Sequence, residues 1–331
     1  MQERQVSLFT PEVDWTPPSS LPDLSKYSEV AIDLETYDPL LMSHGPSWAF
    51  PDTGYITGIG VATKDFSMYF PIQHEGGGNL DKGLVLRWFT KQMTYENDKI
   101  FHNSLYDMGW LKRYGVKVNG KIQDTMFAAP LIDENQYSYS LNNLGEKYCG
   151  ETKDETLLIE AAEAYGLNPK SEMYKLPAKY VGPYGEQDAE LTLKLWQVFK
   201  ELIKLENVGK IYDLETSLIP ILLDMRYKGV PVDLDVAEKV SKRLKKEEDS
   251  IINAIHKEFG TKPDLWAAQS VATVFDRAGL SYPRTPKTNA PSFSGDWLEN
   301  HDHKLANNIV RARKLNKART TFIDKMILEH N

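Results

Sequence analysis

Cysteine is nearly missing from this sequence. Cys149 is the only one in 331 residues, so no internal disulfide can form, and the expected setting is a reducing, cytoplasmic one. No apolar run approaches the roughly 20 residues that a membrane helix needs. The opening Met-Gln-Glu-Arg-Gln lacks the basic end and apolar core of a secretory signal. There is no internal repeat and no low-complexity tract. A basic excess is also missing: 39 Lys and Arg against 47 Asp and Glu leave a formal charge of −8. Any nucleic-acid role must therefore come from local cations and metal ions rather than from net charge. What remains, 41% hydrophobic and 26% charged residues, excludes disordered, collagen-like and disulfide-scaffold chains.

The charge is unevenly spread. Residues 210–331 carry 20 basic and 17 acidic side chains, a net of +3, and the first 209 carry −11. This places a boundary near residues 205–210. Before it the pattern is mixed α/β. Val30 to Glu35 alternates, with Ile32 and Leu34 on one face and Asp33 and Glu35 on the other. Gly54 to Ala62 and Ser67 to Ile72 are further strand-like runs. Short strands are expected at Lys99 to His102 and Lys121 to Asp124, and helices at Leu84 to Met93, Ser104 to Arg113 and Pro183 to Leu205. After the boundary the sequence is helical. Ile211, Leu214, Leu218, Leu222 and Met225 form one stripe that stops at Gly229. Asp233 or Asp235 caps the next helix, which ends at Gly260. Tyr282 to Gly295 reads as a loop, and a single last helix is expected over Asp296 to Glu329. Residues 10–24 form an extended, Pro-rich lead-in.

Three features carry chemistry. Asp33 and Glu35, two apart on a strand, leave the sheet on the same side. Two carboxylates so placed repel unless a cation lies between them, and a hard divalent ion suits oxygen ligands. Taken alone, Asp-x-Glu reads as a strand end where two acids meet solvent. His102-Asn103-Ser-Leu-Tyr106-Asp107 sits at a strand-to-helix junction. Tyr184-Gly-Glu-Gln-Asp188 puts a phenol and a carboxylate on one helix face. In this order the three make four acids and a tyrosine, a far more specific set than any one of them.

With these residues the sequence resembles the DEDDy class of 3′→5′ exonuclease domains found in family A DNA polymerases. The motifs are Asp33-Leu-Glu35-Thr36, Asn103-Ser-Leu-Tyr106-Asp107 and Tyr184-x-x-x-Asp188. Asp124-Thr125-Met and Tyr139-Ser-Leu-Asn-Asn-Leu-Gly-Glu-Lys-Tyr are similar to the connecting segments. The resemblance implies a ribonuclease H-like (DnaQ-like) domain over residues 28–208, a mixed sheet flanked by helices, with residues 1–27 as a lead-in. It also implies hydrolysis with two divalent ions, Mg²⁺ or Mn²⁺, releasing nucleoside monophosphates. Asp33 would bridge both ions, Glu35 and Asp188 would complete one site, Asp107 would hold the second, and Tyr184 would orient the attacking water. Thr36, Leu40, His102, Asn103 and Tyr106 would contact the substrate's terminal nucleotide. The loop from Tyr37 through Trp48 and Phe50 is longer than the family's usual turn, which leaves the base-wedging side chain open.

Residues 209–331 resemble the thumb region of the same polymerases, from Asp224-Met-Arg-Tyr-Lys-Gly229 through Ala267-Ala-Gln-Ser to the returning Arg311-Ala-Arg313-Lys314 helix. The resemblance implies an all-α DNA-binding subdomain touching duplex backbone through Lys287, Thr288, Arg313 and Lys317. On residue type alone these read as a solvated basic face. The palm and fingers motifs are not found, so the expectation is an exonuclease–thumb fragment or a split subunit whose polymerase partner lies on the same gene or on a separate chain. Gln5-Val-Ser-Leu8-Phe9 resembles the peptide by which bacterial polymerases dock to a sliding clamp. The expected partners are a single-stranded DNA 3′ end and a primer-template duplex, with no membrane, in the cytoplasm of a bacterium or a phage-infected cell. An exoribonuclease of the same class and a non-catalytic DNA-binding subunit are the alternatives.

Overall fold

The computed structural model describes residues 10–329. The chain divides into two compact units, the first ending at Gly229 and the second beginning at Val230. The Gln5, Leu8 and Phe9 peptide lies outside the described residues.

The first unit is built on five strands: β1 (Glu29–Tyr37), β2 (Tyr55–Ala62), β3 (Ser67–Pro71), β4 (Asp98–Phe101) and β5 (Ile122–Asp124). They run in the order β3-β2-β1-β4-β5. β1 pairs antiparallel with β2 and parallel with β4, so the sheet is mixed and its central strand carries Asp33 and Glu35. The helices are α1 (Lys82–Met93), α2 (Ser104–Arg113), α3 (Thr125–Ile132), α4 (Leu141–Cys149), α5 (Thr156–Ala164), α6 (Ala178–Leu205) and α7 (Gly209–Lys228). Two apolar clusters cover the sheet. One joins Val30, Ile32 and Leu34 to Phe89 and Trp110. The other joins Ala31 and Ile100 to Leu195, Phe199 and Tyr212.

The register explains how α6 reaches the acids. Asp33 lies opposite Gly60, and Glu35 opposite Gly58. Directly opposed residues of an antiparallel pair share a face, so β2 offers no side chain beside either carboxylate. A Cβ on Gly60 would lie 2.5 Å from the carbonyl oxygen of Gly185 on α6. The helix backbone therefore rests on the strand backbone. Glu186 fastens the contact: its Oε1 accepts from the Tyr69 amide on β3 at 3.2 Å and from Trp15 Nε1 of the lead-in at 3.0 Å, and its carbonyl accepts from Ser67 Oγ at 2.5 Å.

In the first unit two elements differ from the sequence expectation. α6 begins at Ala178, one turn before Pro183, which sits inside the helix. α7 packs with the first unit rather than with the helices after it. Its Tyr212 hydroxyl accepts from the Asp124 amide at 2.8 Å, and Leu223 joins the core. Thus the compact division falls one helix later than the 208/209 boundary.

The second unit is all helical: α8 (Leu234–Phe259), α9 (Ala268–Arg277), α10 (Gly295–Glu299) and α11 (Lys304–Lys317), continued by a π-helical stretch Ala318–Leu328. Asp233 caps α8, its Oδ1 accepting from the Val236 amide at 2.9 Å. The core joins Ile252, Ile255, Phe275, Leu298, Leu305 and Ile309. The single last helix expected over 296–329 is in fact interrupted at residues 300–303. His303 turns extended there, and its Nδ1 accepts from the Leu305 amide at 3.1 Å to start α11 anew. No described helix is long and apolar enough to cross a membrane.

Candidate active site

Three separate constraints deliver the acids. Asp33 and Glu35 share a face of β1 because strand side chains alternate. Tyr184 and Asp188 share a face of α6 because they are four apart. Asp107, in the first turn of α2, is tied to β1 by the Leu34 amide, which donates to its Oδ1 at 3.1 Å. One carboxylate oxygen from each of Asp33, Glu35 and Asp188 lies within 4.8 Å of the others. Glu35 and Asp188 are buried, and Asp33 is part-exposed. Asp107 stands outside that triad, but its carboxyl faces Asp33 closely enough to feel its charge.

Burial raises the pKa of all four, and repulsion from a neighbouring acid of the cluster adds to it for Asp33, Glu35 and Asp107. Asp33 is pushed up to about 7 by desolvation and then by Asp188. Glu35 goes well above its usual range through burial and its two acidic neighbours, and Asp107 through burial and Asp33. Asp188 is raised by burial, against the pull of Lys153. Asp188 Oδ1 is also buried without a hydrogen-bond partner. Hard oxygen donors, converging charge and an orphaned carboxylate oxygen fit a divalent cation.

A pH effect on stability follows. The folded acids hold protons that the unfolded chain releases near pH 4, so the metal-free protein loses stability as pH rises from about 4 through 7 and beyond. A cation bound only by the folded state opposes this loss. Thermal melts in a chelator are therefore expected to give a lower Tm at pH 8 than at pH 5.5. Millimolar Mg²⁺ is expected to raise the Tm at pH 8 and to change it little at pH 5.5. Melting temperatures independent of both pH and Mg²⁺ would contradict the cluster's electrostatics.

Other expected residues take definite places. Thr36 Oγ1 and the Tyr106 hydroxyl are 2.7 Å apart, and that hydroxyl donates to Asp38 Oδ2 at 2.9 Å. Asp38 Oδ1 accepts from the Ser47 amide at 2.9 Å, and the Leu40 amide donates to Ser47 Oγ at 3.0 Å. The long loop is thus built outward from Thr36, with Leu40 half-buried in it and Leu41 and Met42 exposed beyond. His102 sits against Thr125, Nδ1 to Oγ1 2.8 Å, and burial and then the Lys153 cation push its pKa down to about 4, so the ring is neutral. Asn103 adopts the left-handed conformation at φ 69° that starts α2. Asparagine tolerates that region, which accounts for the residue type without a ligand.

In the second unit Lys287 and Lys317 are exposed, and Thr288 bonds Thr285 at 2.6 Å. Arg313 is half-buried, donating to the carbonyls of Leu265 at 2.8 Å and Phe293 at 2.9 Å. It ties chain segments together.

Sequence reasoning named Asp124 only in a connecting segment, without its role here, and missed Lys153 altogether. Asp124 accepts from the Asn103 and Ser104 amides at 3.2 and 2.6 Å and so fixes the start of α2. Lys153 lies in the loop between α4 and α5. Its Nζ is 2.5 Å from Asp188 Oδ2 and donates to the Tyr184 hydroxyl at 2.8 Å. It sits in a charged run, Glu151-Thr-Lys-Asp-Glu155, that reads as solvated surface; nothing in its spacing points inward. Beside Tyr184 and Lys153 opens a cleft of about 640 Å³, also lined by Ser140, Asn142, Asn143 and Met173.

Residues 19–204 match a family model described as 3′-5′ exonuclease, of the family A DNA polymerases. The chain is 35% identical to a DNA-directed DNA polymerase of Pseudomonas phage M6, over 97% of this chain and 50% of that protein. It is 28% identical to the DNA polymerase DpoZ of Salmonella phage PMBT28, over 93% and 49%. It is 26% identical to DNA polymerase I of Rhizobium leguminosarum, over 90% and 30%. The chain thus spans about half the length of the phage relatives it matches. In fold it is similar to the POL domain of Pol1 from M. smegmatis, solved with DNA primer-template and dNTP, at TM-score 0.67 and 17% identity, over 91% of this chain and 47% of that one.

Proposed function

The chain belongs to the 3′-5′ exonuclease family of the family A DNA polymerases, and from that premise we propose that it removes nucleotides one at a time from a single-stranded DNA 3′ end, as the proofreading part of a replicative polymerase. The observation that carries this reading is the meeting of Asp33, Glu35 and Asp188 within 4.8 Å, with Asp107 and Tyr184 alongside.

Asp33, Glu35 and Asp188 would hold one divalent ion, and Asp33 with Asp107 a second. Such ions, Mg²⁺ or Mn²⁺, supply a water of lowered pKa and offset charge on the departing 3′ oxygen. The protein's own groups do the positioning. Burial and the surrounding acids push the Tyr184 phenol far above its usual range. It therefore stays protonated: it orients the water through a hydrogen bond and does not act as the base. Its oxygen accepts from Lys153, and its hydroxyl also bonds the Asp188 carboxylate. Neutral His102 and the Thr36–Tyr106 pair edge the place where the terminal nucleotide would lie. The water oxygen joins phosphorus and gives up its proton to solvent, the bond to the 3′ oxygen breaks, that oxygen takes up a proton, and a nucleoside 5′-monophosphate leaves. The helical second unit would hold primer-template duplex by its exposed cations, Lys287 and Lys317, through phosphate contacts that carry no sequence information. A sliding clamp is the proposed partner of the Gln5-Val-Ser-Leu8-Phe9 peptide.

The test is digestion of 5′-labelled DNA and sequence-matched RNA with Mg²⁺ or Mn²⁺. Stepwise shortening of the DNA from its 3′ end to mononucleotides is expected, faster at a mismatched than at a paired primer terminus. Preferred digestion of the RNA would reassign the substrate. Inertness with every divalent ion would remove the nuclease reading.

A further inference from the structure

We propose that Lys153 is the internal counter-cation of the acid pocket, and that its ammonium and the first divalent ion compete for the same carboxylates. The inference rests on the metal-site reading above and deepens it.

Lys153 is held in place rather than reaching in from solvent. Its own amide donates to Asn142 Oδ1 at 2.9 Å. The Asp154 amide donates to Gln187 Oε1 at 2.7 Å, and Gln187 Nε2 returns a bond to the Thr152 carbonyl at 3.3 Å. Lys194 holds Glu151 at 2.8 Å. The loop is thus fastened to α6 on both sides of residue 153. From there the side chain, only 13% exposed, carries its ammonium to Asp188 Oδ2, to the Tyr184 hydroxyl and to within 4.6 Å of the Tyr184 ring centroid. Its charge also acts on Asp33 and Glu35. These are the three acids that converge within 4.8 Å.

A single +1 charge offsets these acids only in part. A divalent ion at the same oxygens brings twice the charge, and it would stand a few ångströms from the ammonium, which repels it. Asp188 shows the division directly: Oδ2 is taken by Lys153, and Oδ1 is buried without a partner. When an ion takes the triad, the ammonium gives up its share of Asp188 and keeps the Tyr184 hydroxyl. Lys153 therefore keeps the acids compact before loading and weakens ion binding at the same time.

The experiment measures Mn²⁺ binding to the full chain at pH 8.5, without DNA, from the spin-resonance signal of free Mn²⁺. Lys153→Met is expected to bind about tenfold more tightly than wild type, and Lys153→Arg, which keeps the charge, within about twofold of wild type. Asp188→Asn is expected to bind at least about tenfold more weakly. Lys153→Gln serves as the second neutral variant should Lys153→Met fail to fold. A merely structural lysine would give the opposite sign, because a loosened site binds ions less well. Equal or weaker binding in the neutral variants, with Asp188→Asn still impaired, overturns the competition and leaves the metal site standing. Identical binding by wild type and Asp188→Asn overturns the metal site itself.

Discussion

Asp33→Asn is expected to leave a folded protein that degrades single-stranded DNA at least about 10⁴-fold more slowly, equivalent to about 5.5 kcal/mol of lost transition-state stabilisation. The side chain keeps its shape and loses its charge. Asp33 is the acid that faces all the others: its charge acts on Glu35 and Asp107, and it is itself raised by Asp188. Removing it leaves neither proposed ion a full ligand set. Stability is expected to move the other way. With one fewer carboxylate in the pocket, the metal-free variant should melt no lower than wild type at pH 8. Single-turnover digestion and thermal melts of the same preparation check both halves. Near-normal hydrolysis by the variant would end the assignment of Asp33 as a bridging ligand.

Gly60→Ala is expected to harm the site from a distance. The added methyl would meet the Gly185 carbonyl at 2.5 Å, with Ala189 Cβ and the Asp33 carbonyl at 3.4 Å. The close neighbours are backbone, which has no rotamer to change, so α6 must move away from β2. Overpacking of this kind costs about 2–3 kcal/mol. The displaced helix carries Tyr184 and Asp188, and a shift near 1 Å in catalytic groups lowers turnover by about 100-fold. Denaturant unfolding reads the first effect and hydrolysis the second. The control is Gly45→Ala, whose Cβ would meet nothing within 4 Å. It is expected to retain full activity, though at φ 90° it carries its own backbone strain.

The legible parts of this molecule were those fixed by short-range geometry. Period-two alternation put Asp33 and Glu35 on one face, and a four-residue step did the same for Tyr184 and Asp188. The Ser104–Arg113 helix stands where the pattern placed it. Contacts that depend on how elements stack were not legible. Gly58-Ile-Gly60 reads locally as a weak point in a strand. Its purpose, to admit α6, exists only once α6 lies above it. Lys153 reads as a surface charge until the loop around it is pinned to Gln187 and Lys194. The charge step near residue 210 describes surfaces, whereas the allegiance of α7 is decided by Tyr212 and Leu223 inside the core. The last helix failed for a local reason, since Asn300-His-Asp-His303 offers capping groups that stop one helix and start another.

The order of the acids along the chain has a consequence for synthesis. Positions 33, 35 and 107 emerge from the ribosome well before 188, and α6 can dock on the sheet only after it has left the exit tunnel. Until then the nascent chain holds an incomplete set of the proposed ligands on an uncovered sheet face. The cutting activity would therefore switch on late, as one of the last contacts to form in the first unit, and a translation product stopped short of α6 would be harmless to nearby DNA ends.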